Sequence, residues 1–339
     1  MRGKLLLIYT GGTIGMKRGA DGSLVPFDFS TLREHIPELD LLPYDIDFRN
    51  FDEPIDSSDV TPAHWNLLAD IIHDNYDDYE GFVVLHGTDT MTYSASALSF
   101  MLENLSKPVV FTGSQLPIGD LRTDAKENII TALEIAGSEI DGRPAVPEVS
   151  IYFEYQLMRG NRTVKVSSEH FNAFQSPNYP VLAEAGIHIE FFPERILPYR
   201  QGIFHTFKNM SDEVILIKLF PGIKPDFFEK LFDNPGFKAV ILETFGSGNA
   251  PRLEWLDRIL RDAVDRGIKI VNVTQCLEGA VYPENYATGK HLSEAGVISG
   301  KDLTTEAALA KVSYLLGKNL SDKRFREAFS IPLRGELTE

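Results

Sequence analysis

The chain reads LLLIY at residues 5–9 and continues without a break into TGGTIG at residues 10–15. Residues 5–9 are all apolar, whereas a strand with one face in solvent alternates apolar and polar residues. A strand that is covered on both faces is typical of a parallel sheet flanked by helices. The stretch therefore predicts an α/β fold with a polar, glycine-rich loop at the carboxyl end of its first strand.

Similar apolar runs alternate with helical patterns along the rest of the chain. Further strands are predicted over Gly81–His86, Pro108–Thr112, Val149–Phe153, Val214–Leu219, Ala239–Glu243 and Ile268–Val273. Helices are predicted behind a Thr61 cap, over Tyr93–Leu105, after Asp124, over Glu254–Asp265 and over Thr305–Leu316. This order predicts a larger, doubly wound N-terminal domain with a mainly parallel sheet (1–190) and a smaller C-terminal α/β domain (212–339). Residues 191–211, which have no clean period, are expected to form a linker.

Composition and charge limit the possible functions. The 339 residues carry 49 acidic and 33 basic side chains, so the formal net charge is 33 − 49 = −16. Such a field repels phosphate backbones and anionic lipid heads, so binding to nucleic acid or to a membrane surface is not expected. One cysteine, Cys276, cannot form an internal disulfide, and no apolar stretch has the roughly 20 residues of a membrane span. These features predict a cytoplasmic protein.

Four predicted strands end in small, polar, glycine-rich sequences, where open α/β sheets bind their ligands. They are TGGTIG (10–15), GTDT (87–90), GSQ (113–115) and GSGN (246–249). None has the spacing of a Walker A loop or of a dinucleotide-binding loop. The histidines have no metal-ligand spacing, and His86 is interpreted as a packed residue at a strand end. What remains is hydroxyl groups beside a carboxylate, which can perform acyl transfer once a base takes the hydroxyl proton.

Two of these sequences resemble the signature motifs of the bacterial-type L-asparaginase family. The run from Tyr9 to Gly15 is similar to the first motif, and the run from His86 to Met91 is similar to the second. DSSD (56–59), TGSQ (112–115), RGNRTVK (159–165), the run 246–251 and TQC (274–276) resemble further family segments in the same order. The resemblance covers nearly the whole chain and is closest to the cytoplasmic type I subgroup.

The resemblance implies a role for each matching residue. Thr13 would be the primary nucleophile, and Thr88, Asp89 and Lys165 would form a second hydroxyl–base group. Thr88 and Asp89 would also bind substrate, with Asp89 paired with the α-ammonium group. Substrate binding would further involve Ser57 and Ser58 at the α-carboxylate, main-chain atoms at Ser114, and Asn249. No cofactor and no metal is implied.

Three other expectations follow from the resemblance. The substrate would be L-asparagine, with glutaminase or mixed activity and a non-catalytic amino-acid sensor as open alternatives. The protein would be a homo-oligomer, a dimer or a tetramer, in which Asn249 reaches a neighbouring active site. Relatives that act on misacylated transfer RNA carry an extra N-terminal domain, so that role is not expected.

The sequence also departs from the family in two places. Many members carry a tyrosine on the loop after the first motif, whereas this chain has GSLVP at residues 22–26. Some type I members bind a second asparagine near the segment that matches TQC (274–276) and show sigmoidal kinetics. Cys276 is kept here, but Val164 replaces a threonine of that pattern and Glu243 replaces an arginine. Hyperbolic kinetics are therefore expected.

Overall fold

The computed structural model describes residues 3–18, 24–26, 32–282 and 287–339. By its internal contacts the chain divides into two compact units, Met1–Lys208 and Asn209–Glu339. The predicted limits of the two domains and of the linker stay a prediction. The loop in which the family tyrosine was sought lies largely outside the described residues.

The first unit is built on an eight-stranded sheet. In chain order its strands are β1 (Gly3–Gly11), β2 (Tyr44–Ile55), β3 (Gly81–Leu85), β4 (Val109–Thr112), β5 (Val149–Phe153), β6 (Gln156–Arg159), β7 (Ala183–Ala185) and β8 (Ile189–Phe191). Across the sheet the order is β8-β7-β6-β5-β4-β3-β1-β2. The five strands from β5 to β2 are parallel, and β6, β7 and β8 pair antiparallel. The predicted α/β class with a mainly parallel sheet is confirmed.

Helices cover this sheet because they present apolar faces to it. They are α1 (Leu32–His35), α2 (Pro62–Asp74), α3 (Met91–Met101) and α4 (Ala125–Gly137). Side chains of β1, β3 and α4 share one buried cluster that includes Leu7, Val83 and Ile129. Burial on both faces explains why β1 and β3 read as continuous apolar runs.

The prediction for α3 was wrong at its C-terminal end. The helix runs from Met91 to Met101, whereas it was expected from about Tyr93 to Leu105. Leu102 and Glu103 leave the helix and pair as a short strand with His205–Thr206, and Asn104 adopts a φ of 56°. Residue periodicity could not reveal this end, because the pairing partner lies about a hundred residues further along the chain.

The second unit contains a four-stranded parallel sheet and five helices among the described residues. Its strands are β9 (Val214–Lys218), β10 (Ala239–Thr244), β11 (Lys269–Thr274) and β12 (Ile298–Ser299), paired in that order. Its helices are α5 (Pro225–Asp233), α6 (Glu254–Asp265), α7 (Ala287–Glu294), α8 (Thr305–Gly317) and α9 (Asp322–Ser330). The predicted smaller α/β domain is confirmed. In the described part of the chain, no helix has the length and apolar character needed to cross a membrane.

Candidate active site

The two threonine motifs meet at the carboxyl edge of the first sheet. They follow β1 and β3, which are adjacent and parallel, so their loops leave the sheet side by side. A Cβ atom on Gly12 would lie 2.5 Å from the Cα of Gly87, and one on Gly87 would lie 2.6 Å from Oγ of Ser57. Glycine at both positions therefore allows the loops that carry Thr13, Thr88 and Ser57 to contact one another.

Thr13 is the first residue of a short 3-10 turn, Thr13–Gly15, and its side chain is half-buried. The turn begins behind Gly12, whose φ of 91° is a conformation that favours glycine. The phenol ring of Tyr9 packs under this turn, because a Cβ on Gly15 would lie 2.0 Å from the Tyr9 hydroxyl. Burial raises the pKa of Tyr9 to about 12, so this phenol is protonated near neutral pH.

Thr88, Asp89 and Lys165, predicted to work together, are in direct contact. Lys165 Nζ donates to Thr88 Oγ1 at 2.8 Å and to Asp89 Oδ1 at 2.6 Å. The Lys165 side chain is 15% exposed and that of Asp89 is 66% exposed. The ammonium group is therefore sheltered, whereas the carboxylate that it contacts remains open to a ligand.

The backbone around Lys165 is anchored by buried charge. The residue lies in a short strand, Val164–Lys165, which pairs with Phe174–Gln175 and follows β6 after a 3-10 turn over Gly160–Arg162. At the end of β6, Arg159 Nε donates to Glu148 Oε2 at 2.6 Å, and both side chains are almost fully buried. A buried and paired arginine is costly to displace, so it fixes the start of the segment that delivers Lys165.

Gln115 completes the surroundings of Thr88, and sequence reasoning had assigned it no role. Thr88 Oγ1 donates to Gln115 Oε1 at 3.2 Å, and Gln115 Nε2 donates to the carbonyl of His170 at 3.0 Å. The buried Asp124 carboxylate accepts hydrogen bonds from the backbone N–H groups of Gln115 and Leu116. An acidic residue in front of a helix usually caps that helix, so its sequence position did not reveal its role in holding the loop after β4.

The predicted α-carboxylate residues lie in a 3-10 turn, Ser57–Asp59, after β2. Ser57 is 5% exposed, and its carbonyl accepts a hydrogen bond from Thr90 Oγ1 at 2.6 Å. Ser58 is exposed, and both its N–H and its hydroxyl donate to Asp56 Oδ1. These two bonds lower the pKa of Asp56 and so favour its carboxylate form. The Ser58 hydroxyl is therefore already engaged in a hydrogen bond to a carboxylate.

Ser114 and Asn249 complete the predicted set. The Ser114 hydroxyl donates to the carbonyl of Leu116 at 2.6 Å. Asn249 belongs to the second unit, in a turn closed by backbone bonds with Phe245 after β10. The structure thus brings Thr88, Asp89 and Lys165 into contact and joins the loops of Thr13 and Ser57 beside them.

His86, interpreted from the sequence as a packed residue, is buried to 3% exposure. Burial lowers its pKa from an ordinary value of 6.5 to about 4, although a hydrogen bond to Gly87 opposes this change. The ring is therefore neutral at pH 7, and the interpretation as a packed residue is confirmed.

Comparison with known proteins identifies the family. Residues 4–197 match the family described as "Asparaginase, N-terminal", and residues 213–329 match the "Glutaminase/Asparaginase C-terminal domain". The chain belongs to the asparaginase family. The resemblance seen in the signature motifs is confirmed.

Individual relatives cover the whole chain. L-asparaginase 1 of Escherichia coli K12 is 43% identical over an alignment of 341 positions, which covers 98% of this chain and 98% of the relative. The crystal structure of L-asparaginase I from Vibrio cholerae superposes with a TM-score of 0.90 at 44% identity and covers 100% of both chains. A longer mouse protein named 60 kDa lysophospholipase is 44% identical over 99% of this chain and 62% of its own length.

Proposed function

We propose that the chain hydrolyses the side-chain amide of L-asparagine to L-aspartate and ammonia. The observation that carries this proposal is the contact of Lys165 with Thr88 and Asp89, beside the Thr13 loop, in a member of the asparaginase family. Full-length similarity to L-asparaginase 1 of E. coli supports asparagine as the substrate.

In the proposed mechanism the Thr13 hydroxyl oxygen attacks the amide carbon, and its proton is transferred towards the leaving nitrogen. The carbon–nitrogen bond breaks, ammonia leaves, and an ester of Thr13 remains. Water then attacks this ester, which releases aspartate and restores the Thr13 hydroxyl. Lys165 donates to Thr88 in the described geometry, so it accepts the Thr88 proton only after it has released one of its own.

Substrate recognition is proposed to rest on the exposed carboxylate of Asp89 and on the loop of Ser57 and Ser58. Asp89 is open enough to pair with an α-ammonium group while it stays in contact with Lys165. Because the Ser58 hydroxyl already donates a hydrogen bond to Asp56, Ser57 and backbone N–H groups are the better donors for the α-carboxylate. Main-chain atoms at Ser114 would contact the carbonyl oxygen on which negative charge develops.

The proposal is tested by measuring ammonia and aspartate formation by the purified chain with asparagine and with glutamine. Asparagine is expected to be preferred by about 10- to 200-fold, the discrimination that one methylene allows in a pocket. Lysophosphatidylcholine serves as a third substrate, because one longer relative is named a lysophospholipase. Asparagine binding without ammonia release would instead identify an amino-acid sensor, and faster turnover of glutamine would identify a glutaminase.

The assembly and the cellular location are proposed on the same basis. We infer a homo-oligomer, a dimer or a tetramer, in which Asn249 reaches the site of a neighbouring subunit, and a cytoplasmic location. Analytical ultracentrifugation at assay concentration is expected to show a single oligomeric species. A fully active monomer would contradict this arrangement.

A further inference from the structure

His86 contacts the backbone directly in front of Thr88. It follows β3, and its ring packs at 5.9 Å from the ring of Phe111. Nδ1 lies 2.7 Å from the carbonyl oxygen of Gly87, and Nε2 lies 2.9 Å from Oγ of Ser94 in α3. Ser94 Oγ in turn accepts a hydrogen bond from Trp65 Nε1 in α2 at 2.9 Å. A chain of three hydrogen bonds thus runs from α2 to the second threonine motif.

The donors along this chain can be assigned from chemistry. The indole N–H of Trp65 only donates, so Ser94 Oγ accepts from it and is free to donate its own proton to His86 Nε2. The carbonyl of Gly87 only accepts, so the proton of the neutral imidazole must be on Nδ1. The outer residues therefore select one tautomer of His86, the one that donates to Gly87.

The bond to Gly87 also sets the direction of the Thr88 amide. The Gly87 carbonyl and the Thr88 N–H belong to one planar trans peptide, in which the two groups point in opposite directions. With the carbonyl aimed at His86, the Thr88 N–H lies on the opposite side of the peptide. Gly87 has no side chain to restrain this peptide, and a Cβ there would lie 2.7 Å from Cβ of Ser57. Orientation is therefore imposed from outside, by His86.

We propose that His86 is a positioning residue for Thr88, held in its Nδ1–H tautomer by Trp65 and Ser94. By fixing the peptide between Gly87 and Thr88, it directs the Thr88 hydroxyl towards Lys165, 2.8 Å away. His86 itself does not contact the substrate. The expected effect of His86 on kcat rests on the proposed amide hydrolysis. The tautomer of His86 does not depend on any activity.

Two conservative variants separate positioning from packing. In His86→Asn, the amide nitrogen takes the place of Nδ1 and retains a donor for Gly87. In His86→Gln, the amide lies closer to the place of Nε2, so it retains the contact with Ser94 and loses the one with Gly87. With asparagine, His86→Gln is expected to lower kcat about 10- to 100-fold relative to His86→Asn, as one lost buried hydrogen bond would. KM is expected to change less than about threefold, since the groups proposed to bind substrate are elsewhere.

A purely structural role would lower kcat and thermal stability equally in both variants, and that result would overturn the proposal. A greater loss of kcat in His86→Asn than in His86→Gln would overturn it as well. Ser96→Ala is the matched control, because Ser96 lies on the same helix, is fully buried, and its hydroxyl has no hydrogen-bond partner among the described residues. It is expected to leave kcat unchanged.

Nitrogen-15 NMR of the histidine-labelled wild-type protein tests the tautomer without any substrate. The His86 ring signal is the one that is absent from His86→Asn or displaced in Ser94→Ala. At pH 7 the proton is expected on Nδ1, and Ser94→Ala is expected to add the Nε2–H form. A proton on Nε2 or a doubly protonated ring in the wild type would overturn the proposal. If the tautomer is as expected but asparagine is not hydrolysed, the proposed function fails and the assignment of His86 to the Thr88 peptide stands.

Discussion

Gly12 and Gly87 lie in backbone contact, so closely that a Cβ on Gly12 would lie 2.5 Å from the Cα of Gly87 and 2.6 Å from its nitrogen. The contact is a consequence of sheet order, because β1 and β3 are neighbours and their loops leave the same edge. It places the backbone in front of Thr13 against the backbone in front of Thr88. A backbone contact of this kind cannot relax by turning a side chain, so any atom added here must displace a loop.

Gly87→Ala is expected to push the Ser57 loop and the second threonine motif apart and to lower kcat/KM by about 100-fold or more, the cost of displacing reacting groups by about 1 Å. The added Cβ would lie 2.6 Å from Oγ and 2.7 Å from Cβ of Ser57. Gly119→Ala is the control, since a Cβ there meets no atom within 4 Å. Activity assays and thermal unfolding of both variants test this expectation. Equal activity of the two would mean that the loops can separate without loss.

Thr13→Ala is expected to retain the fold and to lower kcat by about a thousandfold or more, because the variant lacks the proposed nucleophile. Thr13 is half-buried in a short turn, so the lost hydroxyl should have little effect on stability. Thr13→Ser keeps a hydroxyl at the same place and is expected to recover part of the rate. More than a few per cent of wild-type turnover in Thr13→Ala would remove Thr13 from the mechanism.

Lys165→Met and Thr88→Val are expected to cause similar losses of kcat, and the double variant is expected to be scarcely worse than either. Groups that act as one unit are strongly non-additive in kinetics, and Lys165 Nζ lies 2.8 Å from Thr88 Oγ1. Lys208→Met controls for loss of a lysine that pairs with an exposed carboxylate, here Asp70. A double-mutant cycle on kcat measures the coupling. Losses that simply add would show that the two residues act separately.

The sequence predicted which loops carry the site better than it predicted how side chains support them. Buried parallel strands read as continuous apolar runs, and their carboxyl ends share one edge, so the loops of Thr13, Thr88 and Ser114 could be expected near one another. The resemblance to asparaginases added Lys165, which lies 76 residues after Asp89.

The supporting contacts are different in kind. Asp124 with the Gln115 backbone, and Ser94 with Trp65 and His86, join residues that are 8 to 29 positions apart and lie on different elements. Each residue type is ordinary where it occurs, namely an acid in front of a helix, a serine in a helix and a tryptophan on an amphipathic face. Which of them meet depends on helix packing and sheet order, and periodicity carries no information on either.

The neutrality of buried His86 predicts a dependence of stability on pH. Its pKa is about 4 in the folded protein and 6.5 ordinarily, so between these values the unfolded state binds more protons. The contribution of neutral His86 to the free energy of unfolding is therefore fully present above pH 6.5 and is lost as the pH falls towards 4. The loss is about 3 kcal/mol of unfolding free energy over this range. Urea unfolding of the wild type and of His86→Asn at both pH values measures it, and parallel pH profiles would contradict it.

The rate is expected to depend hyperbolically on asparagine, with a Hill coefficient near one. In the effector pattern described above, an arginine stands where this chain has Glu243, and a threonine stands where it has Val164. Glu243 lies near the end of β10. Its Oε1 accepts a hydrogen bond from the Thr305 hydroxyl at 2.7 Å, and its Oε2 lies 3.6 Å from Lys218 Nζ. These contacts hold a carboxylate in place, and it would repel the carboxylate of an effector amino acid.

An arginine–carboxylate contact is strong enough for its loss to abolish allosteric coupling. An arginine would bind the effector carboxylate through two charge-assisted hydrogen bonds. Allosteric coupling is typically only about 1–3 kcal/mol, so losing that contact can remove the coupling altogether. Initial rates over a wide range of asparagine concentrations measure the Hill coefficient.

Cys276 is exposed, and Cys276→Val is expected to leave the dependence of rate on asparagine unchanged. Sigmoidal rates that become hyperbolic in this variant would show that an effector site persists despite Glu243.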